Sequence, residues 1–248
     1  MPLTELMNYF NDQLQQRAKA QSLPKTGFFK VKNNYWARFG NLILGSRLNP
    51  LLSLETKEQL GYDAELLIRT TTGNLLDIDS VFTSLDDREQ VVHLDRLVRT
   101  LHSLNYLQQY DGRTDLLSLS VHPRHIISVA TDHGKIFEKI LSDCGLGPER
   151  VLLTTRLLDS ASLPHFHNAL GNYQRRGYLL GISLSRVDEL DLLKRLNVSP
   201  YALVVDNRNI GAEVQQFAQH SQEAFTLLTR ATIAAVSDDG DNNLQIPA

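Results

Sequence analysis

Short apolar runs that read as strands alternate with longer amphipathic runs that read as helices through most of this chain, and that alternation narrows the folds open to it. The strand-like runs are Ala64–Arg69, Leu116–Val121, Val151–Thr155, Leu179–Ser183, Ala202–Asp206 and Ala224–Thr229. Helix-like runs lie between them at Arg88–Leu107, Gly134–Cys144, Pro164–Arg175, Val187–Leu196 and Ala212–Gln219. A helix that carries the chain back between two strands makes those strands parallel, so the pattern is what a parallel α/β barrel with outer helices requires. At 248 residues, the chain is long enough for one such barrel with a large core and too short for a barrel plus another sizeable domain.

Before the alternation, Pro2 to Gln21 reads as an amphipathic helix, with Leu3, Leu6, Met7, Phe10, Leu14 and Ala18 at helical spacing on one face. Lys25-Thr26-Gly27 ends it, and Phe28 to Lys32 and Phe39 to Leu48 read as strands around an Asn33-Asn34 turn. The expected organisation is an N-terminal helix and hairpin over residues 1–44, a barrel over 45–236 and a polar, acidic, disordered tail over 237–248.

Composition excludes several function classes. A net charge of -3 gives no basic footprint for nucleic acid. Lys30, Lys32, Arg38 and Arg47 do interleave with Phe28, Phe29, Tyr35, Trp36 and Phe39, but a twisted hairpin that packs aromatics inward and charges outward explains that pattern. One cysteine, Cys144, leaves no internal disulfide and no cysteine-rich zinc site, as expected in a reducing compartment. The pairs His165/His167 and His122/His125 lack carboxylates or cysteines at metal spacing, and Asp238-Asp239-Gly240 lacks the downstream glutamate of a calcium loop. No apolar run approaches the roughly 20 residues of a membrane span, and the N-terminus lacks the order of a secretion signal, so a cytoplasmic location is expected. With no metal spacing among the histidines and acidic residues, no cofactor is expected.

Several segments resemble, in order, the landmarks of one bacterial family. Leu48-Asn49-Pro50-Leu51 is similar to Tyr-Gln-Pro-Ile, and Glu65-Leu66-Leu67-Ile68-Arg69 to Glu-Ala-Leu-x-Arg. Phe82-Thr83-Ser84-Leu85 is similar to Phe-Ile-Pro-Leu, and Leu94-Asp95-Arg96-Leu97-Val98 to Leu-Asp-Arg-Trp-Val. Leu117 to Arg124 resembles Leu-Ser-Val-Asn-Leu-Ser-Pro-Arg, Gly145 to Arg150 the turn into a barrel strand, and Leu203-Val204-Val205-Asp206 stands for Leu-Lys-Ile-Asp. From about Leu48 to Ile210 the chain thus resembles a degenerate EAL domain, the fold that hydrolyses cyclic di-GMP in bacteria. The implied architecture is a modified TIM-like (β/α) barrel of EAL type, its C-terminal end incomplete, with the helix and hairpin as an N-terminal extension.

That resemblance implies a two-metal phosphodiesterase site at the carboxyl ends of the strands, and it also shows what is altered. The first glutamate is carried over as Glu65, while counting without gaps from Pro50 places it at Asp63. Positions two apart on a strand share a face, so either carboxylate can enter the barrel mouth. The asparagine ligand becomes Ser120, the second glutamate Thr154, the paired aspartates Ser183-Leu184 and the lysine Val204. Thr-Glu becomes Arg156-Leu157, the Glu-Glu-x-Gly loop becomes Asp87-Arg88-Glu89-Gln90, and Thr226 to Arg230 replaces Glu-Gly-Val-Glu. The expectation is a chain that is not an enzyme, in which Leu157, Leu184 and Val204 fill the old pocket.

Three functions follow from the resemblance. The first is a regulatory module that binds an unidentified protein partner. The second is a metal-independent receptor for cyclic di-GMP, with Asn49, Glu65, Arg69 and Asp206 as the vestigial site. The third is a phosphodiesterase. A complete family barrel also carries a further strand and helix after Ala224–Thr229, whereas only Ala231–Val236 precedes the tail. The expected open edge is then covered by that run, by the hairpin or by a partner chain, including a second copy in a homo-oligomer.

Overall fold

The structure, a computed structural model, describes residues 2–21, 23–110, 115–129 and 135–231. It contains two compact units, one built on Met1–Leu48 with Ala64–Arg113 and the other on Asn49–Asp63 with Thr114–Thr232. The strands β3 (Leu42–Ser53) and β4 (Gln59–Thr70) each contribute residues to both. The sequence boundary expected between residues 44 and 45 falls inside β3.

In the first unit, helix α1 (Leu3–Gln21) is followed by strands β1 (Thr26–Val31), β2 (Asn34–Phe39) and the start of β3. The end of β4 then leads through β5 (Leu75–Leu76) and α2 (Ile78–Ser84) to the long helix α3 (Arg88–Tyr110). Strands β1 and β2 form a hairpin, antiparallel with Val31 opposite Asn34, so the turn is Lys32-Asn33 and the second strand begins at Asn34, ahead of the expected Phe39. The expected single strand Phe39–Leu48 is instead broken after Phe39. Gly40 takes φ +57°, where L side chains are disfavoured, and turns the chain so that β3 pairs back on β2, with Ala37 opposite Leu44.

Helix α1 packs on this small sheet. Leu6 and Phe10 are buried, and the Phe10 ring meets Phe28 edge-on at 6.5 Å. Asn11 fixes the register: its amide donates to the Phe28 carbonyl at 2.9 Å and its carbonyl accepts from the Phe28 N–H at 2.6 Å. Helix α3 buries polar side chains as well as apolar ones, and they find partners. Asn105 accepts from the Tyr35 N–H at 2.9 Å and donates to its carbonyl at 2.9 Å, while His102 lies 2.7 Å from the Ser46 hydroxyl.

In the second unit, Asn49–Ser53 of β3 and Gln59–Asp63 of β4 join five more strands. These are β6 (Leu116–Ser120), β7 (Val151–Thr155), β8 (Leu179–Leu184), β9 (Ala202–Val205) and β10 (Thr226–Arg230). Helices α4 (Pro123–Ser128) and α5 (Lys135–Asp143) follow β6, α6 (Leu163–Arg175) follows β7, α7 (Glu189–Leu196) follows β8 and α8 (Gly211–His220) follows β9. Strands β6 to β10 pair in parallel in sequence order, as the alternation requires.

The ring closes on seven strands, in the order β3-β10-β9-β8-β7-β6-β4 with β4 returning to β3. Strand β10 meets β3 antiparallel, Leu228 opposite Ser53 and Arg230 opposite Leu51, and the Ala231 N–H donates to the Pro50 carbonyl at 3.0 Å. The expected open edge is therefore absent. Strand β3 runs on past the hairpin, and its second half supplies the hydrogen bonds that β10 lacks on that side. The rest of the Ala231–Val236 run after Ala231, and the tail, lie outside the described residues. No described helix is long and apolar enough to cross a membrane.

Candidate functional site at the mouth of the barrel

Leu51, Leu152, Ala202, Val204 and Leu228, from four strands, meet inside the ring, with Leu60 and Leu179 packed against them. Strand side chains repeat faces every second residue, so the next interior positions beyond Leu152, Val204 and Leu228 are Thr154, Asp206 and Arg230. Ser183 stands opposite Val204 in the β8–β9 pairing and shares its face, and Ser118 stands opposite Leu152. Gly181 makes room between them: a Cβ there would come within 2.8 Å of Thr154 Cγ2. An apolar plug thus fills the barrel, and a polar layer covers it at the carboxyl ends of the strands.

Arg230 organises that layer. Its Nε donates to Asp63 Oδ2 at 2.7 Å, one terminal nitrogen pairs with Asp206 Oδ1, and the other donates to Ser183 Oγ at 3.3 Å. The Ser118 hydroxyl donates to the second Asp63 oxygen, Oδ1, at 2.5 Å. Asp63 is 5 % exposed, so its carboxylate is held by a guanidinium and a hydroxyl instead of water. Thr154 is fully buried, and its hydroxyl finds no hydrogen-bond partner among the described residues.

The sequence-predicted site residues divide. Asp206 joins the Arg230 cluster, and Asn49 is buried in the same unit. Glu65 belongs to the first unit, with a side chain 42 % exposed and 3.7 Å from Arg47. Arg69 is buried in that unit too. Of the two carboxylates left open by the sequence, Asp63 is the one that enters the polar layer. Arg230 was not singled out, because it sits 167 residues from Asp63 and no local pattern marks it. The expected apolar filling is met in part: Val204 belongs to the interior plug, whereas Leu184 is buried on the face of β8 opposite Ser183. Leu157 is buried in the loop that follows β7.

No protein-family model and no curated protein matches this sequence. Solved structures do share the fold. A Klebsiella pneumoniae protein, BlrP1, in a manganese and cyclic di-GMP complex at pH 9.0, aligns with a TM-score of 0.58 and 15 % identity over 89 % of this chain and 64 % of its own. A Bacillus subtilis protein with an EAL domain, YkuI, in complex with substrate cyclic di-GMP and calcium, gives 0.52 and 15 % over 71 % of this chain and 46 % of its own. The EAL domain of FimX from Xanthomonas citri, in complex with cyclic di-GMP, gives 0.52 and 20 % over 69 % of this chain and 66 % of its own. The chain spans between about half and two thirds of the length of these solved chains. The architecture is an EAL-type barrel.

Proposed function

We propose that this chain is a non-catalytic regulatory domain of cyclic di-GMP signalling that acts through protein–protein interaction. The observation that carries the reading is Arg230 lying between Asp63 and Asp206. A two-metal phosphodiesterase needs several oxygen ligands free to take two dications. Here two carboxylates are already paired with one guanidinium, and the neighbouring positions are Ser118, Thr154, Ser183 and Val204. Three hydroxyls and a valine do not replace carboxylate and amide ligands, so these residues do not fit a two-metal centre. With its mouth plugged below by aliphatic side chains and bridged above by Arg230, the barrel works as a scaffold whose outer surface meets the partner protein.

The test is chromatographic detection of linear pGpG after prolonged incubation of the protein with cyclic di-GMP and magnesium, manganese or calcium. No product is expected. Product that disappears in D63N would establish the phosphodiesterase in its place.

A second reading, a metal-independent cyclic di-GMP receptor, is favoured by the ligand present in the three solved counterparts. Of its proposed residues, Asp206 is engaged by Arg230 and Glu65 lies near Arg47. Arg69, buried in the first unit, is the phosphate-pairing group of that reading.

A further inference from the structure

We propose that Arg230 is the resident cation of the barrel mouth, and that its removal converts Asp63 and Asp206 into a binding site for a divalent cation. The inference rests on the non-catalytic reading and goes beyond it by assigning the role a metal would play to a residue of the chain.

Two carboxylates drawn to one guanidinium at the end of a barrel repel each other once that charge is taken away, and a buried one such as Asp63 suffers most. Something positive has to stand between them. The guanidinium suits the place because its planar fork directs separate N–H groups at Asp63, Asp206 and Ser183 at once. A lysine ammonium supplies the same charge from a single point.

What remains without the guanidinium is a set of oxygens. Asp63 and Asp206 provide two carboxylates, Ser118 and Ser183 provide hydroxyls already bonded into the cluster, and Thr154 provides a buried hydroxyl with no hydrogen-bond partner among the described residues. Hard dications take six to eight oxygen ligands, several of them from water, and a charge of two matches two carboxylates. The Arg230 side chain is 26 % exposed, so its removal leaves an entrance from solvent. The chain's own cation therefore occupies a place that a calcium or manganese ion fills when the arginine is gone.

The experiment compares thermal melting of the wild type, R230A, R230K and the double variant R230A/D63N, each in chelator and in excess calcium or manganese chloride. Manganese binding is followed in parallel by electron paramagnetic resonance. The wild type is expected to melt at the same temperature in both solutions. R230A is expected to melt about 5–10 °C lower in chelator and to recover at least half of that loss with either ion, binding one manganese. R230K and the double variant are expected to show no response to metal. Where R230A does not fold in chelator, R230Q, which keeps side-chain length without charge, carries the same comparison. A wild type whose melting depends on divalent ions overturns the proposal, as does a neutral variant at Arg230 that gains no response to metal. These melts use no substrate, so hydrolysis of cyclic di-GMP by the wild type would defeat the non-catalytic reading while leaving this result to stand or fall separately.

Discussion

The imidazole Nε2 of His93 lies 3.0 Å from the hydroxyl of Thr26, inside the first unit, on a residue only 1 % exposed. Burial pushes the His93 pKa down from its ordinary value of 6.5 to about 4, and the positive charges of Arg17 and Arg96 push the same way. The ring is thus neutral in the native protein at neutral pH, while in the unfolded chain it takes a proton below about 6.5.

Stability should consequently be intact above pH 6.5 and fall as the pH drops from there through about 4, because the unfolded state binds the proton first. The full loss from this residue is about 3 kcal/mol. Urea denaturation between pH 7.5 and pH 4 measures it, and H93Q should flatten that part of the profile. An unchanged pH slope in H93Q would place the acid sensitivity elsewhere.

Asp95 and Arg99 form an ion pair one helical turn apart on α3, with Arg99 Nε 2.9 Å and a terminal nitrogen 2.6 Å from Asp95 Oδ2. Both side chains are at most 2 % exposed. Removing one partner strands a buried charge, so R99M and D95L should each cost about 3–5 kcal/mol, and the double variant clearly less than the sum. A double-mutant cycle from denaturant unfolding checks this. Additive costs would show that the pair is not coupled.

On the apolar face of α1, Leu6 and Phe10 are buried by packing within the first unit. F10A should cost about 3–4 kcal/mol through lost contact with Phe28 and a residual cavity. Deleting residues 1–22 should lower the melting temperature by more than F10A does. Equal melting of the deleted and full chains would mean the helix contributes nothing to the fold.

Titration calorimetry with cyclic di-GMP, with and without magnesium, separates the two readings of function. The interaction reading expects no heat of binding. The receptor reading expects binding that magnesium leaves unchanged and that R69A weakens roughly ten- to hundredfold, the usual effect of losing one charge-assisted phosphate contact. Tight binding insensitive to R69A would place the ligand away from Arg69.

Much of the fold was legible because it is written in local periodicity. Val151–Thr155 is the expected strand residue for residue, and Arg88–Leu107 differs from the observed α3 only at its C-terminal end. The break at Gly40 was missed, since Phe39 and the apolar residues after Asn41 form one strand-like run when backbone conformation is unknown.

Tertiary structure alone decided which carboxylate faces the interior and what meets it. A period of two puts Asp63 and Glu65 on the same face of one strand, so sequence could not choose; one is buried against Ser118 and Arg230, and the other lies near Arg47 on a different unit. Closure of the ring was decided in the same way, by β10 finding β3 across more than 170 residues of chain. Side-chain alternation and helix amphipathicity are properties of neighbouring residues, and sequence determines them. Strand pairing and the neutralisation of a buried charge depend on which distant residues arrive together, and only the folded chain fixes that.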